Sequence, residues 1–234
     1  MSKNILILVE GQTEEGFIKR VLGPYLAAKE IYLTPTIIKT KREIRGPDHK
    51  GGVNSYRQVK RDLIPLLSDT SANVVTTMID YYALPTDFPG YDQRPSSICY
   101  ARVEFMENQF SADINQTKFL PYLQLHEFEA LVFASEDKLP SAFINVPTKL
   151  AQVTAINNSF TSPEEINENP VSAPSKRLKS IFPDYQKTYH SPTSFSLKGS
   201  LLLSINLFKQ NNYFDSLIGE NLWFKKMKTF LTFI

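Results

Sequence analysis

The sequence predicts an α/β fold, a parallel sheet flanked by helices, with a less regular and mostly helical C-terminal extension. Three observations carry that prediction. Asn4–Val9 (NILILV) and Asn73–Tyr82 (NVVTTMIDYY) are continuous apolar, β-branched runs, the signature of strands buried on both faces. Segments of helical spacing separate the strand-like runs, so the connections are right-handed crossovers between parallel strands. After about Lys138 the texture changes to Pro-, Asn- and Ser-rich sequence with few long periodic runs. Residues 1–138 are accordingly the expected α/β core, and 139–234 an extension that is loop-rich and then helical.

Composition narrows the class. The chain has 234 residues, 42% hydrophobic and 21% charged, enough apolar material to bury a core and too much for disorder as the main state. A net charge of +2 names no partner, so any nucleic-acid contact has to come from a local basic patch. Cys99 is the single cysteine, which excludes an internal disulfide and a thiolate zinc cluster. The opening MSKNILILVEGQTEE is no signal peptide, and no apolar stretch reaches the roughly 20 residues of a membrane span. A cytoplasmic protein without a membrane partner is expected.

Taken in order, Asn4–Val9 is the first central strand, ending at Glu10-Gly11. Thr13 is placed to cap a helix with Glu14 and Glu15 in its first turn, and Phe17, Ile18, Val21, Leu22 and Leu26 follow at helical spacing. Leu33–Lys39 is a weaker strand that Pro35 sends to an edge. Thr40–Lys50 is a basic loop leading to Gly51-Gly52, and Asn54 or Ser55 caps a helix with Val59, Leu63, Leu66 and Leu67 on its apolar stripe. After the strand bearing Asp80 comes a Pro/Gly-rich loop, Ala83–Pro95, then a helix from near Ser96-Ser97 to about Phe110. Phe119–Leu125 (FLPYLQL) reads as a strand opening into His126-Glu127-Phe128-Glu129. In the extension, Ser175–Phe182 is a short basic helix, and the Leu-, Phe- and Lys-rich last thirty or so residues suit one or two more.

In an open parallel sheet, ligands bind outside the carboxyl ends of the strands. Glu10, Asp80 and Glu127 with Glu129 all fall at such ends, and Glu14, one helical turn past Glu10, is spaced to return to the same edge. Carboxylates gathered at one edge repel one another unless a cation neutralises them. An all-oxygen set favours Mg2+ or Mn2+, ions that polarise a phosphodiester and activate water. Each residue has a plainer use as well. Glu10, Glu14, Glu15, Glu127 and Glu129 suit helix N-termini through the helix dipole, and Asp80 suits a loop cap or a salt bridge.

Leu8-Val9-Glu10-Gly11-Gln12-Thr13-Glu14 resembles the opening of Toprim domains, in particular those of OLD-type nucleases. Three further stretches resemble the Toprim-like family catalogued as domain of unknown function 4276. They are Met78–Pro85 with Asp87-Phe88-Pro89-Gly90, Leu125–Leu131, and Ala173–Leu178 followed by Tyr185-Gln186-Lys187. The resemblance covers roughly residues 3–190. It implies a Toprim fold, divalent-metal binding, a nuclease role in prokaryotic antiphage defence, and a neighbouring AAA- or ABC-type ATPase. It also implies that Glu10 is a metal ligand or general acid/base and that Asp80 is the first acid of an Asp-x-Asp pair. Tyr82 stands where the second acid is expected, which leaves Glu14, Asp87, Glu127 or Glu129 to supply the oxygen. The expected Lys…His-Gly element is also altered, to Lys187-Thr188-Tyr189-His190-Ser191-Pro192.

Lys41, Arg42, Arg45 and Lys50 form the densest basic segment of the first half, suited to gripping a nucleic-acid backbone without reading its sequence. Arg177 belongs to a second patch with Lys176 and Lys179, where Lys176 is the candidate for stabilising transition-state charge. The expected activity is metal-dependent phosphodiester hydrolysis of DNA or RNA, tRNA among the candidates. Glu10, Asp80, Glu127 and Lys176 would serve the chemistry, and Glu10, Glu14, Asp80, Glu127 and Glu129 would hold the metal. The alternative is a catalytically degenerate subunit that binds nucleic acid or regulates an ATPase. Either protein is compatible with a homo-oligomer. The absence of a Walker loop and of a G-x-G-x-x-G fingerprint counts against a nucleotide-binding enzyme.

Overall fold

The sheet grows outward from the first strand. In a computed structural model, which describes residues 2–39, 53–125, 147–160 and 173–182, β1 (Lys3–Val9) lies between β2 (Ile31–Ile37) and β3 (Val74–Asp80). β3 carries β4 (Phe119–Leu120) and β5 (Leu123–Gln124) on its other edge. Every pairing is parallel, so the five-stranded sheet has the α/β architecture expected from the two buried runs. Parallel pairing also brings the carboxyl ends of β1, β2, β3 and β5 to one edge. The chain divides into two compact units between Leu125 and His126.

Pro35 sits on β2, an outer strand, as its sequence position predicts. The Ile38 N–H donates to Val9 O and Glu30 O accepts from the Lys3 N–H, so the even-numbered residues of this strand face β1. Pro35, of opposite parity, turns its missing N–H to the open edge, where no ladder bond is lost.

β4 and β5 are one strand with a break. Val75, Thr76, Ile79 and Asp80 pair with Phe119, Leu120, Leu123 and Gln124 at a single constant register, and the gap falls at Pro121-Tyr122. Because Lys118 O accepts the Val75 N–H, alternate residues 118, 120 and 122 face β3, and the next ladder donor is the Tyr122 N–H. The Thr77 hydroxyl fills the place: Oγ1 donates to Tyr122 O at 2.7 Å and accepts from the Tyr122 N–H at 3.0 Å. The unbroken strand expected over Phe119–Leu125 is therefore corrected to two short pieces joined by a side chain.

Helices cover both faces. On one, Leu6 and Leu8 of β1 and Val75 and Ile79 of β3 are buried with Val59, Leu63 and Leu67 of α3 (Tyr56–Ser68). Val103, Met106 and Phe110 of α4 (Cys99–Ile114) complete that core. Aromatic rings knit it edge to face, with centroids 5.0 Å apart for Tyr56–Phe88 and 4.9 Å for both Phe88–Phe110 and Phe110–Phe119. On the other face, Ile5, Ile7 and Val9 are wholly buried, as are Ile18 and Leu22 from the helical segment after β1.

That segment is not one regular helix. Helix α1 (Gln12–Phe17) begins at Gln12 with Gly11 in the cap position, so Thr13 lies inside the helix rather than capping it. A π-turn, Ile18–Leu22, then leads into α2 (Gly23–Ala27). Pro24 accounts for the wide turn, because in a regular helix its ring would press on the carbonyl four residues back. The Gly23 N–H reaches Ile18 O instead, and a Cβ on Gly23 would lie 2.8 Å from that oxygen.

α3 is capped as its sequence predicts, with Ser55 Oγ accepting from the Gln58 N–H at 3.4 Å. α4 starts at Cys99 and ends at Ile114, both ends later than its spacing suggested, and Asn115 stops it in the left-handed conformation. In the second unit, α5 (Pro147–Asn157) is a helix within the stretch whose composition suggested loop, and α6 (Pro174–Ile181) is the expected basic helix. Lys149 stacks 5.2 Å from the Phe182 ring centroid and Arg177 5.4 Å from that of Phe160. No described helix is long and apolar enough to cross a membrane.

Candidate functional site

Where β1 and β3 end, side chains take over from the ladder. The Glu10 N–H still donates to Met78 O, at 3.2 Å, as the next rung of the sheet. Two residues further along β3, the Asp80 N–H donates to Glu10 Oε2 at 3.1 Å. Asp80 Oδ1 in turn accepts from Gln124 Nε2 of β5 at 3.3 Å. Register supports that last contact, since Asp80 and Gln124 are direct partners across the two strands. Three strand ends thus contribute one connected chain, Glu10–Asp80–Gln124, at the carboxyl edge.

Glu14 comes back to the same turn. Its side chain is buried, and Oε2 lies 3.3 Å from where a Cβ on Gly11 would stand. The glycine leaves room for that carboxylate to fold over the strand end. Glu15 faces the other way and pairs with Lys19 at 2.7 Å on the helix surface. One of the two first-turn acids is therefore a site candidate and the other is a surface ion pair.

The residues after β3 divide similarly. In the short turn Tyr81–Ala83, Tyr81 enters the core while Tyr82 is 51% exposed. Asp87 does not complete the acidic set, because its Oδ1 accepts the Tyr56 N–H at 2.8 Å at the start of α3. Phe88 belongs to the aromatic core, and Gly90 takes a φ of +79° that favours glycine. The stretch Asp87-Phe88-Pro89-Gly90 thus locks a loop to two helices.

The basic loop is anchored at the carboxyl end of β2. The Lys39 N–H donates to Asp62 at 2.7 Å, while Lys39 O accepts from Gln58 at 2.8 Å and from Arg61 at 2.9 Å. Lys41, Arg42, Arg45 and Lys50 themselves lie outside the described residues, as do Glu127, Glu129 and His126. Lys176 and Arg177 are on α6 of the second unit, Lys176 exposed and Arg177 over the Phe160 ring.

Like charges at neighbouring strand ends are costly unless something offsets them. Here the Asp80 N–H and the Gln124 amide supply part of the offset. Glu10 and Asp80 are hard oxygen donors on adjacent strands and suit one side of a Mg2+ or Mn2+ ion. Among the described residues no group of three or more His, Cys, Asp and Glu forms a complete cation site.

Sequence reasoning passed over Gln124, Glu107 and Thr77. The signals were present. Gln124 is a lone amide between Leu123 and Leu125, and Glu107 interrupts the buried stripe Val103, Met106, Phe110. Glu107, only 3% exposed, accepts the Leu123 N–H at 2.9 Å.

Fold and site together define an α/β protein with carboxylates gathered at the carboxyl edge of a parallel sheet. The chain belongs to the family described as a domain of unknown function (DUF4276), whose model matches residues 9–199. Nothing among the curated proteins and nothing among the solved structures matches it. The matched range takes in all four sequence stretches that suggested the family, apart from the first residue of the earliest, Leu8.

Proposed function

We propose that the protein is a Toprim-like, divalent-metal-dependent nuclease, cutting phosphodiester bonds of DNA or RNA in the cytoplasm as the effector of an antiphage module with an ATPase partner. The observation that carries the reading is the Asp80 N–H on Glu10 Oε2, which ties the Glu10 carboxylate to the backbone of an acid 70 residues away at the same strand edge. A bound Mg2+ or Mn2+ would supply the charge that activates water and neutralises the leaving oxygen. Glu10 and Asp80 would hold it, with Glu10 also placed to take a proton. Lys39, at the carboxyl end of β2, leads in sequence to Lys41, Arg42, Arg45 and Lys50, which would contact the phosphate backbone.

The test is cleavage of plasmid DNA and total tRNA in Mn2+ by the purified full chain, with and without the proposed ATPase partner. Glu10→Gln and Asp80→Asn should each lower cleavage by at least about 100-fold, because loss even of an outer partner of a metal ligand costs about 10–100-fold. Full activity in either variant would sink the assignment.

A second reading, a degenerate subunit that binds nucleic acid or regulates the ATPase, is favoured by exposed Tyr82 at the expected second acid. Such a subunit should bind Mn2+ no better than its Glu10→Gln variant.

A further inference from the structure

We infer that Gln124 is a positioning residue for Asp80, and that the broken strand carrying it is braced for that task by Thr77 and Glu107. A buried amide between two leucines costs free energy unless it is bonded. Gln124 is 9% exposed, and its Nε2 donates to Asp80 Oδ1 at 3.3 Å. The direction of the amide follows from chemistry, because an ionised carboxylate only accepts and the NH2 group must face it.

The support behind Gln124 is specific. β5 has two residues and is parted from β4 at Pro121-Tyr122, so backbone pairing alone holds it weakly. Thr77 closes the gap on both polar groups of Tyr122. Glu107 then takes the N–H of Leu123, the residue next to Gln124. An apolar side chain at position 107 would match the rest of the buried stripe, whereas a buried carboxylate carries a desolvation penalty. The bond it makes fixes the residue beside Gln124. The path therefore runs from a helix through a strand to the carboxylate: Glu107 to Leu123, Gln124 to Asp80. Fixing Oδ1 fixes the plane of the carboxylate, and with it the direction in which the second oxygen is presented.

The functional consequence rests on the metal reading proposed above, while the positioning itself does not. The test compares the full chain with Gln124→Met, close to the same length and without the amide, and with Gln124→Asn, which is one methylene shorter. Mn2+ alone is titrated by electron paramagnetic resonance, and metal-free crystal structures are solved for each protein. In both variants the Asp80 side chain should leave its wild-type rotamer, Mn2+ should bind at least about tenfold more weakly, and the spectrum of the bound ion should change. If Gln124→Met does not melt cooperatively, Gln124→Asn carries the comparison. An unmoved Asp80 in the folded variants overturns the inference, and where the wild type binds Mn2+ better than Glu10→Gln, variant binding equal to wild type overturns its functional consequence. If the wild type binds Mn2+ no better than Glu10→Gln while Asp80 still turns in the variants, the metal reading fails and the positioning role stands.

Discussion

The Asp80 N–H donates to Glu10 Oε2 at 3.1 Å, directly after the Glu10 N–H has bonded Met78 O at 3.2 Å. The ladder between two central strands thus ends on a carboxylate, and Glu10 has a structural task beside any chemical one. The two separate by substitution. Glu10→Gln retains an acceptor and should unfold within about 0.5 kcal/mol of wild type, whereas Glu10→Ala strands a part-buried N–H at a cost of about 1–3 kcal/mol. Urea unfolding measures the difference. On the nuclease reading both variants lose cleavage, so activity should follow the charge and stability should follow the acceptor.

A second prediction concerns acid. Asp113, at the end of α4, accepts from the Tyr56 hydroxyl and pairs with Lys60 at 2.8 Å. Burial pushes its carboxyl up, but the hydrogen bonds from Lys60 and Tyr56 and the Lys60 charge outweigh that and hold it below its ordinary value. A carboxyl depressed in the folded state stabilises at pH above its unfolded value, near 3.8, and loses that contribution as pH falls through the folded value. The urea midpoints of wild type and Asp113→Asn should differ at pH 6 and draw together as the pH falls below 3.8. A gap that persists unchanged at the lowest pH would show that the pair contributes nothing through charge.

The loop after β3 gives a third. A Cβ on Gly90 would stand 2.6 Å from Gln109 Cγ and 3.0 Å from Phe105 Cε1, at a φ of +79°. Gly90→Ala should therefore cost about 1–3 kcal/mol. Asp87→Ala, which releases the N–H at the start of α3, should cost about 1 kcal/mol. Because this loop fastens helices and its Asp87 is committed to Tyr56, Mn2+ affinity in the folded Asp87→Ala variant should match wild type. Calorimetric titration decides whether Asp87 is a cap or a ligand.

Strands β1 and β3 were legible because both of their faces are buried, which writes an unbroken apolar run into the chain. Pro35 marked the edge strand for an equally local reason, and the one-turn spacing of Glu14 from Glu10 anticipated its return to the strand end. What escaped is made by side chains reaching between distant segments. Nothing near Tyr122 announces that the side chain of Thr77, 45 residues away, takes its rung of the ladder. Nothing near Leu123 announces Glu107 as the acceptor of its N–H. The cap of α1 was misplaced by two residues because Gly11, which opens the helix, leaves room for Glu14 instead of capping with a side chain of its own. Helix α5 was hidden by its Pro, Asn and Ser neighbours, although Val153, buried on it, lies at helical spacing from Leu150 and Ile156.

The last prediction restores an acid. Tyr82 is 51% exposed on the turn that follows Asp80, so an acid placed there stays in contact with water, and Tyr82→Asp should cost no more than about 1 kcal/mol. A second carboxylate two residues from Asp80 adds negative charge at the edge. At about 8 Å in a water-like medium, it attracts a doubly charged ion by about 1 kcal/mol, which is roughly a fivefold gain in affinity. Mn2+ titration of wild type and Tyr82→Asp, at equal ionic strength, measures that gain. If Asp80 anchors a cation at this edge, the variant binds Mn2+ more tightly, and adding Asp80→Asn removes the improvement. If both single variants bind as the wild type does, the charge at position 82 is remote from any cation, and Asp80 is a structural cap on its strand.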